Sequence, residues 1–251
     1  MQHIALTLSY DGTHYHGWQF QTNVVSVQSV LQDALSRLTN APVKTIGCGR
    51  TDAGVHARAY VASFFTNSTL APERYPIALN SLLPRDISVS HAQQVSPFFH
   101  PIKSCLSKEY TYELYRSAVR DPFLENRALF WEYDLDVDAM LTASRHFLGT
   151  HDFAALRSSG TAIKNTVRTV SEYEIKETGS HVSFRVAANG FLYNMARAMV
   201  GTLLMVGQHK LSMDAIPEIL ASRDRRRAGP TAPAHGLYMT RVCYGKDELD
   251  A

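Results

Sequence analysis

The sequence predicts an α+β protein built from two similar halves, each a largely antiparallel sheet with helices. Three observations carry that expectation. Apolar residues alternate with period two at Ile4, Leu6 and Leu8, at Tyr110, Tyr112 and Leu114, and at Val182, Phe184 and Val186, which marks strands. They recur at three and four at Val27, Val30, Leu31, Ala34, Leu35 and Leu38, which marks one face of a helix. The first half reads strand, helix, strands, helix, strand, and the second half repeats the mixture. The 251 residues suit one large domain or two of roughly 100–150. We expect halves at 1–104 and 105–251, joined through the connector SPFFHPIKS.

Taken in order, a strand at Ile4–Ser9 leads through YDGTHYHGWQFQ to the helix that begins near Val27 and stops at Asn40-Ala41-Pro42. Strands follow around Val43–Arg50 and Ala59–Thr66, with GCGRTDAGVHA as the loop between them. A helix near Arg74–Leu83 ends at Pro84, and Ile87–Ser90 is a strand. In the second half, Val137–Leu148 reads as a helix with Asp136 as its N-cap. Tyr173–Val186 reads as a hairpin around Glu-Thr-Gly-Ser. Phe191–Val206 is a helix apolar nearly all round, Met213–Ala221 is a short helix carrying Pro217, and Leu237–Tyr244 is a closing strand.

Composition limits the setting. Apolar residues make up 45% of the chain, enough for a sizeable core. The net charge of +2 means that any nucleic acid must be met by a local basic surface. The 3 cysteines, Cys48, Cys105 and Cys243, are odd in number and far apart, as expected in a reducing compartment, and no CxxC pair points to zinc. The N-terminus alternates like a strand and lacks the form of a signal peptide. The Phe191–Val206 stretch is interrupted by Asn194 and Arg197 and is short for a membrane span. A cytoplasmic protein is expected.

Three places could carry chemistry. Arg197 is the only Asp, Glu, Lys or Arg between Arg185 and Lys210, on a helix apolar enough to be buried. A buried guanidinium needs hydrogen bonds and a carboxylate from elsewhere; a structural ion pair and a functional one both satisfy that. Gly47, Gly49 and Gly54 permit close approach around Arg50 and Asp52. Asp52 is either a turn aspartate bonding its own backbone or a nucleophile or base. The loop lacks the form of a phosphate cradle. Tyr110 and Tyr112 share a strand face, as core residues or as a platform for a nucleobase. Lys103, Lys108, Arg116, Arg120 and the run Arg223–Arg227, with Tyr15 and Trp18 as exposed aromatics, would track a phosphate backbone or simply face solvent. His14 and His16, with no thiolate or further paired ligand, make a poor metal signal.

At this point the residues match a known pattern. GRTDAGVHA resembles the catalytic loop of the tRNA pseudouridine synthase A family, TruA. LSYDGTHYHGWQFQ, SVQSVLQDAL, ALNSLLPRDISV, FFH, KEYTYEL, GFLYNMARAMVGTLL and APAHGLYM are similar to the family's other segments and stand in family order, from about Ile4 to Tyr244. The resemblance implies the pseudouridine synthase fold, with two α/β halves facing a central basic cleft, and a homodimer. It implies a tRNA substrate, with uridines at positions 38, 39 and 40 of the anticodon stem-loop as targets. Residue by residue, it makes Asp52 the essential carboxylate and Arg50 the loop arginine that accompanies the target nucleotide. Tyr110 becomes the tyrosine that stacks on uracil, and Arg197 the partner of the aspartate. Pro101-Ile102 stands where the family usually has Ala-Arg, which bears on the RNA contacts of the connector and makes Lys103 a substitute.

Uridine isomerisation breaks N1–C1′ and joins C5 to C1′, with no hydrolysis and no redox change, so no cofactor or metal is expected. Asp52 would attack C1′, attack C6 or remove the 2′ proton; the residues do not choose. The rival readings are an RNA-binding protein without activity, a metal-dependent hydrolase using His14, His16, His56 and Asp52, and a purely structural Arg–Asp pair.

Overall fold

The computed structural model describes residues 1–160, 163–245 and 249. They fall into two compact units, Met1–Lys108 with Tyr238–Ala251, and Glu109–Leu237.

In the first unit, β1 (Gln2–Tyr10) leads to α1 (Val27–Thr39), followed by β2 (Thr45–Gly47), β3 (His56–Thr66), α2 (Tyr75–Asn80) and β4 (Ile87–Gln94). β1 lies between β3 and β4, antiparallel to both, and β2 pairs antiparallel with β3. Ile4, Leu6 and Leu8 are fully buried, as the alternation predicted. So are Val27, Leu31 and Leu35 on α1, each contributing about 1.5–3 kcal/mol by leaving water. Helix α1 starts at a capping box in which Ser26 and Ser29 exchange side chain and amide. It stops at Asn40, whose backbone is left-handed (φ 51°).

The second unit contains most of β5 (Ser107–Arg116), then β6 (Leu129–Trp131), α3 (Val137–Ser144), β7 (Gly149–Asp152), β8 (Val167–Thr178), β9 (His181–Ala188), α4 (Met195–Gly207) and α5 (Ala215–Ser222). Its sheet has the order β5-β9-β8-β7. β7–β8 and β8–β9 are antiparallel, and β6 runs parallel to β5. The expected N-cap is present: Asp136 accepts the Ala139 amide at 2.9 Å. Pro217 is tolerated because it lies in the first turn of α5, where backbone N–H groups have no helical acceptor. The last strand, β10 (Leu237–Cys243), runs parallel to β3 and so extends the first unit's sheet. The strand pairings within each unit are therefore largely antiparallel, as the sequence predicted.

Three expected boundaries differ. The second strand is confined to Thr45–Gly47, because the chain turns at Cys48 into the glycine-rich loop. The helix expected from Phe191 begins at Met195, since Asn194 is left-handed (φ 63°) and interrupts the helical backbone. The helix expected to reach Leu148 ends as α3 at Ser144 and continues as one 3₁₀ turn, Arg145–Phe147. Among the described residues, no helix is long and apolar enough to cross a membrane.

Candidate active site

The loop between β2 and β3 is fixed from several sides. The Cys48 amide donates to the Val61 carbonyl at 2.8 Å, and the Tyr60 hydroxyl donates to the Gly49 carbonyl. Thr51, next to Asp52, is held twice: its hydroxyl bonds Tyr10 at 2.9 Å, and its carbonyl accepts the Trp18 amide at 3.3 Å. The Asp52 carbonyl accepts the Val55 amide at 3.1 Å, closing a turn in which Gly54 has φ 78°. Close approach explains a second glycine. A Cβ on Gly47 would lie 2.1 Å from the Tyr60 hydroxyl and 2.5 Å from Trp18 Nε1. Trp18 and Tyr60 stack with centroids 4.2 Å apart. This buried clasp leaves Asp52 half-buried and Arg50 exposed, with Arg50 Nε donating to Gln19 Oε1 at 3.3 Å. Burial pushes the Cys48 thiol up to about 12, which keeps it neutral and removes it as a competing nucleophile.

In the second unit, Tyr110 and Tyr112 share the buried face of β5, so the expected common face is correct. Tyr110 meets Phe191 edge-on, with centroids 4.8 Å apart. Tyr112 donates its hydroxyl to the Pro233 carbonyl at 2.9 Å, and burial pushes its pKa up. Arg197 is the one basic residue of a helix that is otherwise almost wholly buried, and it is itself half-buried. Its Nε donates to the Ala232 carbonyl at 2.7 Å and Nη1 to Asn194 Oδ1 at 2.8 Å. Asn194 in turn donates to Ser158 Oγ at 2.9 Å. The segment 229–232 lies along α4, with the Gly229 amide on Thr202 Oγ1 at 3.0 Å and the Ala232 amide on the Arg197 carbonyl at 3.2 Å. Arg50 and Asp52 thus lie in one loop of the first unit, and Tyr110 and Arg197 in the second unit.

Several expectations need correction. Tyr15 and Trp18 are not exposed aromatics: they are buried as supports of the 12–18 and 48–55 loops. The Tyr15 hydroxyl donates to Asp86 at 2.6 Å, and the Tyr15 carbonyl accepts the Gly54 amide. His14 and His16 face solvent, whereas His56 is buried, with Nδ1 3.0 Å from the Gly12 amide and 3.1 Å from Asp11. Among the described residues no group of three or more His, Cys, Asp or Glu is placed to hold a metal ion. Much of the basic surface is already paired: Arg116 with Glu177, Arg223 with Asp152, Arg226 with Asp224 and Arg227 with Glu218. At the unusual Pro101-Ile102, the Pro101 carbonyl accepts the Tyr244 hydroxyl at 2.9 Å, and Ile102 and Lys103 are exposed. The supports Tyr10, Tyr60 and Thr51 were missed in the sequence, where they look like ordinary strand and loop residues.

A family model described as tRNA pseudouridine synthase matches residues 7–102 and 143–245, and this chain belongs to that family, a family of isomerases. Its similar relatives are named more narrowly. The tRNA pseudouridine synthase A of Acetivibrio thermocellus is 45% identical over 244 residues, covering 97% of this chain and 100% of the relative. Those of Thermoanaerobacter sp. and Ruminiclostridium cellulolyticum are each 43% identical, with the same coverage of both chains. Among solved structures, one of an H/ACA RNP bound to a substrate RNA aligns with 97% of this chain and 49% of that chain, at 14% identity and a TM-score of 0.42.

Proposed function

We propose that this chain isomerises uridine to pseudouridine in tRNA, at positions 38, 39 and 40 of the anticodon stem-loop, without a cofactor. The observation that carries the reading is the Asp52 loop. In a member of this family it holds a half-buried carboxylate next to a doubly anchored Thr51, two residues from an exposed guanidinium. A phosphate-binding surface gains nothing from a carboxylate there.

The target uridine leaves the helical stack to reach Asp52. The N1–C1′ bond breaks, the detached uracil carries its own charge, and it turns until C5 bonds C1′. The C5 proton is lost and N1 regains one, so the base is isomerised with no net change in composition. Glycoside hydrolysis generally needs a second carboxylate to activate water or protonate a leaving group. Recapture of the base removes that need, provided water is kept out. Arg197 acts as the partner that keeps Asp52 ionised and oriented. Arg50 grips the displaced nucleotide or fills the position it leaves. Tyr110 stacks on the uracil, which requires its ring, 7% exposed in the free chain, to be uncovered when RNA binds. The protein works as a homodimer in the cytoplasm.

Incubating purified protein with unmodified tRNA and mapping pseudouridine tests the reading. Wild type is expected to modify positions 38–40 in the presence of chelator, and Asp52→Ala to bind tRNA and modify nothing. Unmodified tRNA after treatment with folded wild-type protein sinks the proposal. Light scattering tests the dimer.

A further inference from the structure

The second unit carries an open groove of about 570 Å³ to which none of Arg50, Asp52, Tyr110 or Arg197 contributes. Arg145, His146, His151, Asp152 and Arg223 line it, over an aliphatic floor that includes Leu220. Among the lining residues two guanidiniums stand against one carboxylate, Asp152, while the lining His146 lies 3.6 Å from Asp214, which does not line the groove. Asp152 accepts the Thr166 hydroxyl at 2.5 Å and the Ala154 amide at 3.0 Å, and it lies 2.9 Å from Arg223 Nε. Burial works against its charge, but these three partners together with the Arg157 charge outweigh burial and hold its pKa below the ordinary carboxylate range.

The positive groups are less committed. The closest approach of Arg223 to Asp152 is Nε to Oδ2 at 2.9 Å, and among the described residues its two Nη groups make no hydrogen bond. Its backbone is left-handed (φ 54°) at the end of α5, a position where glycine is more at ease. Asp152 thus fixes one edge of Arg223 and leaves the fork-shaped end for something else. Arg145 is exposed and has no ion pair or side-chain hydrogen bond among the described residues. His151 is fixed by Nε2 against the Leu148 carbonyl at 2.7 Å. Of the basic run Arg223–Arg227, only Arg223 lines the groove.

A groove with surplus positive charge and open walls suits a polyanion that runs across it, whereas a small ligand is generally enclosed. We propose that this groove binds the phosphodiester backbone of tRNA at a stretch other than the target nucleotide, with Arg145 and the Nη groups of Arg223 as the phosphate contacts. The proposal rests on the reading of this chain as a tRNA-modifying enzyme. It assigns a positioning role, separate from the bond-breaking chemistry.

The test is the salt dependence of the tRNA dissociation constant for the full chain, compared among wild type, Arg145→Gln, Arg223→Gln and Lys176→Gln. Lys176 is exposed on β8 and is not part of the groove. Each groove variant is expected to weaken binding by about 3- to 10-fold and to lower the slope of log affinity against log salt by about 1. KM should rise with kcat unchanged, and Lys176→Gln should match wild type. Arg145→Gln removes no bond of the folded chain, so it remains informative if Arg223→Gln folds poorly. Wild-type slopes in both groove variants overturn the proposal, as does an equal loss in Lys176→Gln. Calorimetric titration with inorganic phosphate covers the other source of the same chemistry: groove-dependent binding of free phosphate with unaltered tRNA affinity also overturns it. Groove-dependent tRNA binding by a wild type that forms no pseudouridine defeats the isomerase reading and leaves the groove standing.

Discussion

Gly201→Ala is expected to disturb Arg197 from a distance. Gly201 lies in α4 where the 229–232 segment crosses it, and a Cβ there would fall 1.7 Å from the Pro230 carbonyl oxygen and 2.9 Å from its carbon. Both close atoms are backbone, so a side chain cannot turn aside to make room. Moving the segment breaks the bonds that hold it to α4: Gly229 to Thr202, Ala232 to the Arg197 carbonyl, and Arg197 Nε to the Ala232 carbonyl. Two neutral bonds at about 1 kcal/mol each and one charged bond at about 1.5–3 kcal/mol give a loss of about 3.5–5 kcal/mol. Alanine's better helix propensity returns about 1 kcal/mol, leaving about 2.5–4 kcal/mol. In a chain of this size that lowers Tm by roughly 5–15 °C. Calorimetry and urea unfolding measure it, with Gly245→Ala, which meets nothing within 4 Å, as the control. Below the melting temperature, Gly201→Ala should also lose turnover on tRNA, because Arg197 has lost its Nε anchor. A variant as stable and active as wild type would refute the reasoning.

Thr51→Val keeps the shape of the loop but leaves the buried Tyr10 hydroxyl without its 2.9 Å partner, and is expected to cost about 1–3 kcal/mol in urea unfolding and to slow turnover. Cys48, whose thiol burial holds at about 12, should resist iodoacetamide at pH 8 until the protein is unfolded, while the half-buried Cys243 reacts in the native state; peptide mass spectrometry reads the order. Asp152 has a folded-state pKa below its unfolded one, so its contribution is present above the unfolded value and lost as pH falls through the folded one. Asp152→Asn should therefore flatten the acid limb of a stability–pH profile, from the ordinary carboxylate range downward, and leave the profile's slope near neutrality unchanged.

Much of this architecture is legible in the sequence because it rests on local periodicity. Ile4, Leu6 and Leu8 declare β1, and the three-four spacing from Val27 declares α1. Asp136 announces its helix by chemistry that needs only the next three residues. The missed elements lack such signals: β6 and β7 are short, with half-buried or exposed residues and no clean alternation. The early start expected for α4 followed apolarity alone, which says nothing about the left-handed Asn194. Around the site, the glycines and acid of the Asp52 loop stand out in the sequence, but its clasp does not. Trp18, Tyr10 and Tyr60 reach Thr51 and Gly49 through long-range bonds, and Trp18 reads as an exposed aromatic until the fold buries it. The same holds for Arg223, which reads as one charge in a solvated run until β7 brings Asp152 beside it.

The central claim is that one carboxylate, held on this loop, drives isomerisation of a tRNA uridine. It is tested most directly by release of tritium from tRNA labelled at C5 of uridine, comparing wild type with Asp52→Asn at matched tRNA occupancy. The account predicts one tritium released per pseudouridine formed by wild type, and none above background from the folded, tRNA-bound variant. Tritium release by Asp52→Asn at the wild-type rate would contradict it.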